Sequence, residues 1–387
     1  MRAAVLPTAW SDGLTSRSRR FLLAEWWRSV DQLMLMLLLC LLCAGLILSM
    51  AASPAAAHRL GYDSPFHFLY RHAIFVAVGL PGAIFVSLFT PRGARRIGIL
   101  ALAGAILVMA ALPTIGYEVK GAVRWVRIGP FGLQPSEFAK PAFIVFAAWM
   151  FSAAKRDPNV PAVFIVLGVY ATLILLLITQ PDFGQSFLLT LCFAAVFFFA
   201  GMSLGWLMVM LGVTMLGAFG AYLALPHVRD RVSTFLAPDQ SDSYQTDKAL
   251  EAIAGGGFFG RGPGEGAVKY ALPDGHTDFI FAVSVEEFGF LISVLLIGLI
   301  AAFVVRAFSN ALRLNDHFCQ LATAGLATLI GMQAIINLCV NLNMAPSKGM
   351  TLPFISSGGS SLLSLCFAAG LILAFTRRRP GAYRMGS

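Results

Sequence analysis

The sequence predicts an all-α integral membrane protein of about ten transmembrane helices, with a large extracytoplasmic loop between the seventh and eighth. Three observations carry this. Hydrophobic residues make up 58% of the 387-residue chain and charged residues 12%, against the ~25% charge of a typical soluble domain. Apolar runs long enough to cross a bilayer recur along nearly the whole sequence. Lysine and arginine segregate, with 16 of the 28 on one face of a ten-span arrangement.

Residues 1–31 form a basic N-terminal arm ending in Ala24-Glu25-Trp26-Trp27-Arg28, where the tryptophan pair reads as an interfacial anchor. Spans are expected near 32–52, 68–90, 97–115, 138–154, 160–179, 186–201, 204–225, 279–304, 318–342 and 354–376. They form one membrane domain, 32–376, followed by a tail at 377–387. An even count places both termini on one side, and the excess of Lys and Arg makes that side cytoplasmic. The 226–278 loop then faces outward, and the chain is a multi-pass protein of the cytoplasmic (inner) membrane. The net charge of +9 is mostly this orientation signal plus attraction to anionic lipid headgroups, and gives no argument for nucleic acid. Ala55-Ala56-Ala57 resembles a signal-peptidase site, but the arm and apolar run before it are too long for a signal peptide, so the first helix is read as retained. All six cysteines lie in or beside spans, which suits small buried hydrophobes and implies no disulfide framework.

Three outward segments interrupt the short polar loops. The stretch 116–137 is too apolar for a free loop and too broken by Gly and Pro for a helix; a hairpin dipping into the outer leaflet fits best. The 226–278 loop holds a short surface helix at 244–253, then glycines from Gly255 to Gly266. These could bring amides to a phosphate, but neither nucleotide fingerprint applies, and a flexible hinge is the plainer reading. The segment 343–358 is rich in Gly and Pro, and its amides could line a cavity.

Sorting polar residues by side gathers Arg124, Arg127, Glu137, Lys140, Asp182, Asp278 and Lys348 in or beside the outward segments. Converging, they would form a polar site at the membrane surface, with cations suited to a pyrophosphate and a carboxylate able to take a proton from a hydroxyl; equally, each could pair locally to hold a loop. Asp278 stands at the mouth of a long apolar helix, where an ionisable group is costly and usually paired or functional, although Asp also favours helix starts. Glu286 lies about 80° round the helix from Asp278 and Glu287 about 180°. Glu286 is therefore the better candidate for the same cavity, roughly 12 Å deeper, unless both are buried structural partners.

Five stretches, in order, resemble the SEDS family of membrane proteins for shape, elongation, division and sporulation, over about residues 30–380. They are RWxRIGPxxxQPSExxK at Arg124–Lys140, QPDFGQ at Gln180–Gln185, HTDFIFA at His276–Ala282, EExG at Glu286–Gly289, and PxKGxTLPFxSxGGSS at Pro346–Ser361. Lys348, Thr351 and the Glu-Trp-Trp-Arg stretch at 25–28 are similar to the division-type, FtsW-like branch. Ser357 departs from members with an aromatic residue there, and Gly132 from members with a basic one. The resemblance implies a ten-span inverting peptidoglycan glycosyltransferase that polymerises lipid II outside the cytoplasmic membrane during septal cell-wall synthesis. Asp278 maps to the expected catalytic residue. Arg124, Arg127, Glu137, Lys140, Asp182, Glu286 and Lys348 stand as substrate-binding candidates. A divalent cation, Mg or Mn, is a further expectation with its ligands left open, and no organic cofactor is expected. The implied partners are an FtsI-like class B penicillin-binding transpeptidase, other divisome proteins, lipid II, undecaprenyl pyrophosphate and membrane lipids. A lipid II flippase and a non-catalytic divisome scaffold are the alternatives.

Overall fold

Ten long helices, with a short one between the seventh and eighth of them, build most of the computed structural model, which describes residues 24–119, 122–129, 131–202, 204–224, 226, 229, 244–346 and 349–378. The long helices are α1 (Gln32–Leu60), α2 (His67–Leu88), α3 (Pro91–Ile115), α4 (Pro135–Arg156), α5 (Ala162–Thr179), α6 (Phe183–Phe199), α7 (Leu204–Ala224), α9 (Ile280–Ala311), α10 (His317–Asn341) and α11 (Gly359–Thr376); the short one is α8 (Tyr244–Gly256). Eight are long and apolar enough to cross a membrane, and α6 and α7 are apolar as well. The expected spans are present, most ends within about three residues; α3 starts early at Pro91, α9 runs on to Ala311, α11 starts late at Gly359, and the largest difference is at the end of the first. There α1 continues to Leu60, because alanine-rich sequence after the apolar run keeps helix propensity, and it stops at Gly61 in the left-handed conformation (φ 71°). Most of the N-terminal arm and of the C-terminal tail, and most of 226–243, lie outside the described residues.

Local chemistry sets several other boundaries. Asp31 caps α1 by accepting from the Met34 amide at 3.0 Å, Thr90 caps α3 from the Gly93 amide at 3.1 Å, and Asp316 caps α10 from the Cys319 amide at 2.9 Å; each satisfies one orphan donor of the first turn. Asp31 also accepts from Arg306 and Asn310 of α9 at 2.9 and 2.7 Å. Burial opposes ionisation of Asp31, but these hydrogen bonds and the Arg306 charge hold its carboxyl below the ordinary aspartate value.

The interior is formed by α4, α10 and α11, whose middles are fully buried (Phe143, Ile144, Leu326, Ala327, Ile372). Helix α2 lies along α11 in parallel: a Cβ on Gly359 would meet the Phe75 ring, one on Gly79 would meet Cys366, and one on Gly370 would meet the Ala83 backbone. Small residues of this kind let helices approach closely where lipid gives no hydrophobic drive between them.

The stretch after α3 is a small antiparallel sheet in the order β1 (Tyr117–Val119), β2 (Ala122–Ile128), β3 (Phe131–Leu133). The expected hairpin is thus a β2–β3 pair, with Arg127 opposite Gly132, extended by β1. Gly132 is there for room: a Cβ would sit 2.2 Å from the Tyr117 hydroxyl.

Candidate functional site

Asp278 lies two residues before α9, in a turn where the amides of Thr277, Asp278 and Phe279 all donate to the Asp274 carbonyl (3.0, 3.0 and 3.3 Å). Asp274 has φ 53°, a conformation Asp tolerates better than most residues. Two amides of α10, one turn apart, fix this turn. Asn337 and Asn341 donate to the Asp278 carbonyl at 2.7 and 2.9 Å, and the Asn341 side-chain oxygen accepts from the Ala282 amide in the first turn of α9 at 3.2 Å. The segment before α11 closes the other side. Ser357 donates from its amide and hydroxyl to the His276 carbonyl (3.1 and 2.6 Å), and Ser356 donates to the Thr277 carbonyl at 2.6 Å. Ser357 thus serves as a backbone clamp where an aromatic residue would stack. A Cβ on Gly349 (φ 63°) would stand 3.7 Å from Oδ2 of Asp278, so Gly349 lies close to the half-buried carboxylate. Lys348 itself lies outside the described residues.

A second polar cluster joins β2, the starts of α4 and α6, and α11. Gln134 donates to Asp182 at 2.9 Å; Glu137 pairs with Lys140 at 2.9 Å; and Gln185 bridges these two, donating to Glu137 at 2.7 Å and accepting from Lys140. All five side chains are buried. The Ser364 hydroxyl donates to the Glu137 carbonyl at 2.7 Å, tying the cluster to α11. Arg124 donates to the carbonyls of Gln180 (2.7 Å) and Pro181 and lies 3.9 Å from Asp182. Burial raises the Asp182 carboxyl above the ordinary value, with Arg124 opposing and Glu137 reinforcing the rise. The structure therefore brings Arg124, Glu137, Lys140 and Asp182 together and gives each a protein partner. Arg127 lies apart, exposed, its guanidinium 5.1 Å above the Tyr117 ring.

Glu286 and Glu287 organise a third region. The carboxylate of Glu286 accepts from the amides of Val268 (2.7 Å) and Lys269 (2.9 Å), so both its oxygens hold the loop before Asp278. Glu287 pairs with the buried Lys269 ammonium, which also donates to the Gly264 and Ala51 carbonyls at 3.1 and 3.3 Å. Two residues beyond Glu287, α9 is broken at Gly289 (φ 86°), and the loop splices into the gap. Arg261 and Gly262 donate to the Glu286 and Glu287 carbonyls (2.9 and 3.0 Å), while Phe290 donates to Gly257 at 2.9 Å. A Cβ on Gly256, Gly260 or Gly289 would fall within 2.0–2.4 Å of a backbone carbonyl oxygen. Of the glycines read as a flexible hinge, Gly256 and Gly260 are thus tightly packed against the broken helix, whose unpaired backbone groups they meet, whereas a Cβ on Gly257 or Gly264 would meet nothing within 4 Å.

Sequence reasoning missed Asn337, Asn341, Gln185 and Lys269. The asparagines carried a usable signal: two amides at i, i+4 in an apolar helix need partners across a helix interface. Lys269 carried little, since its burial depends on the break at Gly289.

Fold and site together define a polytopic helical membrane protein whose buried polar residues gather around loops entering the bundle. The chain belongs to the FtsW/RodA/SpoVE family, whose model, described as Cell cycle protein, matches residues 31–380. It is 48% identical over 368 residues to the probable peptidoglycan glycosyltransferase FtsW of Caulobacter vibrioides (strain NA1000 / CB15N), covering 95% of this chain and 94% of that one. Its identity to the protein of the same name from Trichlorobacter lovleyi is 36%, covering 91% and 93%. Among solved structures it resembles the rod shape determining protein RodA of Thermus thermophilus (TM-score 0.67, 25% identity, 90% of this chain and 97% of that one). It also resembles a chain from work on structural coordination of polymerization and crosslinking by a peptidoglycan synthase complex (TM-score 0.73, 26% identity, the same coverage).

Proposed function

We propose that this protein is an inverting peptidoglycan glycosyltransferase that polymerises lipid II at the outer face of the cytoplasmic membrane during septal wall synthesis, with both termini cytoplasmic. The observation that carries the reading is the Asp278 turn: a half-buried carboxylate on main chain fixed by Asn337 and Asn341, with Gly349 close beside it. The names of the similar proteins from Caulobacter and Trichlorobacter support the same chemistry.

In this mechanism the acceptor 4-hydroxyl oxygen attacks the anomeric carbon of the donor sugar. Its proton passes to the Asp278 carboxylate as the bond from that carbon to the pyrophosphate oxygen breaks, and undecaprenyl pyrophosphate leaves with the bonding electrons. General-base catalysis of this kind contributes about 10²–10⁴-fold. A divalent cation, Mg or Mn, fits the oxygen chemistry of Asp278, since Mg²⁺ is commonly held by one or two carboxylates plus substrate phosphates; it would neutralise charge on the departing pyrophosphate. An FtsI-like class B transpeptidase and other divisome proteins are the proposed partners.

Asp278→Asn should lower lipid II polymerisation by about a hundred-fold or more while thermal stability and membrane insertion are retained. The assay is glycan formation from labelled lipid II by the purified protein with its transpeptidase. Normal polymer from the variant sinks the catalytic role.

A further inference from the structure

One group of cations at the helix ends is built into the bundle. The start of α3 brings Arg92, Arg95 and Arg96, and the end of α4 brings Lys155 and Arg156. The chain order puts these two ends, with the start of α10, on the side of the bundle that holds the termini. Arg95 is half-buried. Its guanidinium carbon lies 4.9 Å from the ring centroid of Trp149 on α4 and 5.9 Å from that of Phe318 on α10, so one side chain joins three helices. The charges of Arg92, Arg96 and Arg156 all bear on it. Lys155 and Arg156 in turn bear on His317, the first residue of α10.

Carboxylates do not balance this charge. None of the five cations makes an ion pair among the described residues, and the two acidic groups nearby are committed locally. Asp316 caps α10 through the Cys319 amide at 2.9 Å, and Asp157 accepts from the amide and side chain of Asn159 at 3.0 and 3.1 Å. Arg156 lies back along α4 on Ser152. Arg95 makes no hydrogen bond with the described residues, and only its Nε is enclosed, which leaves its two terminal nitrogens to offer. Arg92, Arg96, Lys155 and Arg156 are exposed, so the cluster opens outward. Like charges gathered this way repel one another, and an anion among them relieves the repulsion.

The surroundings decide which anion fits. Arg95 stands four residues into α3, about 6 Å along the helix from its first residue. Beyond Arg96 the outer face of α3 is apolar: Leu100, Ala103 and Leu107 are exposed, at steps of four, three and four residues that keep to one face. Leu100 and Leu107 are each 71% exposed. A cationic cluster thus runs straight into an uncovered apolar strip along a transmembrane helix, which matches a ligand with a phosphate at one end and a hydrocarbon chain at the other. We infer that Arg95, Arg96, Lys155 and Arg156 form a site for the phosphate of an anionic phospholipid of the cytoplasmic leaflet, with an acyl chain along Leu100 and Leu107. Arg95, stacked on Trp149, presents a planar fork of donors, and the flanking cations supply the field that favours an anionic headgroup. The site lies at the other end of α10 from Asn337, about 30 Å along the helix, so the lipid ties α3, α4 and α10 together and takes no part in the reaction at Asp278.

The experiment titrates the full chain, in micelles of an uncharged detergent, with dioleoyl phosphatidylglycerol and follows the melting temperature. Dioleoyl phosphatidylcholine is the control without net charge, and inorganic phosphate is the free anion. Phosphatidylglycerol should raise the melting temperature to a plateau, and the other two should not. Arg95→Gln should weaken apparent affinity about tenfold or more, the loss of one charge-assisted phosphate contact. Arg95→Lys, which keeps the charge without the fork, should weaken it less. Arg28→Gln removes an exposed cation before α1 on the same side and should leave the affinity unchanged. If Arg95→Gln does not fold, Arg96→Gln and Lys155→Gln, at exposed positions, carry the test and should each weaken binding. Unchanged affinity in the folded Arg95 and Arg96 variants overturns the inference, and so does an equal loss in Arg28→Gln, which would mark diffuse attraction to the whole face. Equal stabilisation by inorganic phosphate overturns the lipid as ligand. A melting temperature that phosphatidylglycerol raises no more than phosphatidylcholine does also overturns it, and would leave the cations to an acidic segment of a cytoplasmic partner.

Discussion

Asn337 and Asn341 illustrate how single side chains set this site. Each is buried, and each donates to the Asp278 carbonyl, which otherwise would lie unpaired where α9 begins. Asn341→Ala removes that bond and the one to the Ala282 amide. It should lower kcat about tenfold with KM little changed, because the base moves while substrate contacts remain; single-turnover lipid II kinetics test this, and an effect on KM alone would place Asn341 elsewhere in the cycle. Lys269 and Glu287 are a different case. Removing one member of a buried pair leaves an uncompensated charge, at about 3–5 kcal/mol, so Glu287→Gln should lower thermal stability sharply and Glu287→Gln with Lys269→Met should recover much of it. Additive losses in the double variant would show that the pair does not act as a unit. At this scale the sequence pointed to Asp278 by position and motif. It could not point to Lys269, whose partner depends on a helix break that local pattern does not reveal.

The elements were more legible, for a physical reason: a span announces itself by composition, whereas a loop's packing depends on surfaces made by distant residues. All ten long helices stand where apolar runs predicted them. The glycine run after α8 did not, because Gly255 to Gly266 reads alike whether mobile or pressed against backbone. The splice at Gly289 resolves it. Helix α9 lacks its own ladder at that point and accepts hydrogen bonds from residues 261 and 262 instead. A side chain at 289 would meet the Phe258 carbonyl at 2.4 Å and would be strained at φ 86°. Gly289→Ala should therefore loosen residues 257–270, seen as faster amide hydrogen exchange there than in α10. Equal exchange in the two proteins would mean that the splice tolerates a side chain.

Across the whole molecule, the loop that carries α8 is joined to α9 by the splice and to α1 by Lys269, and it leads straight into the Asp278 turn. A partner that binds this loop can shift the population of a competent arrangement without adding a catalytic group. Polymerisation by the purified protein should rise several-fold when its transpeptidase is added at matched detergent and cation; equal rates, with complex formation confirmed, would remove the loop from activation. Orientation is tested separately: a cysteine at position 242 should react with a membrane-impermeant reagent added outside, and labelling only from the cytoplasm would invert the arrangement.

The grip on residue 278 is a grip on its peptide carbonyl. The two side chains that hold this carbonyl, Asn337 and Asn341, do not titrate. A machine that lengthens a polymer must repeat the same stroke many times, and in the proposed reaction each proton would arrive at and leave residue 278 without its carbonyl socket being rebuilt between strokes. Fidelity over a long strand then rests on two amides that take no part in the chemistry.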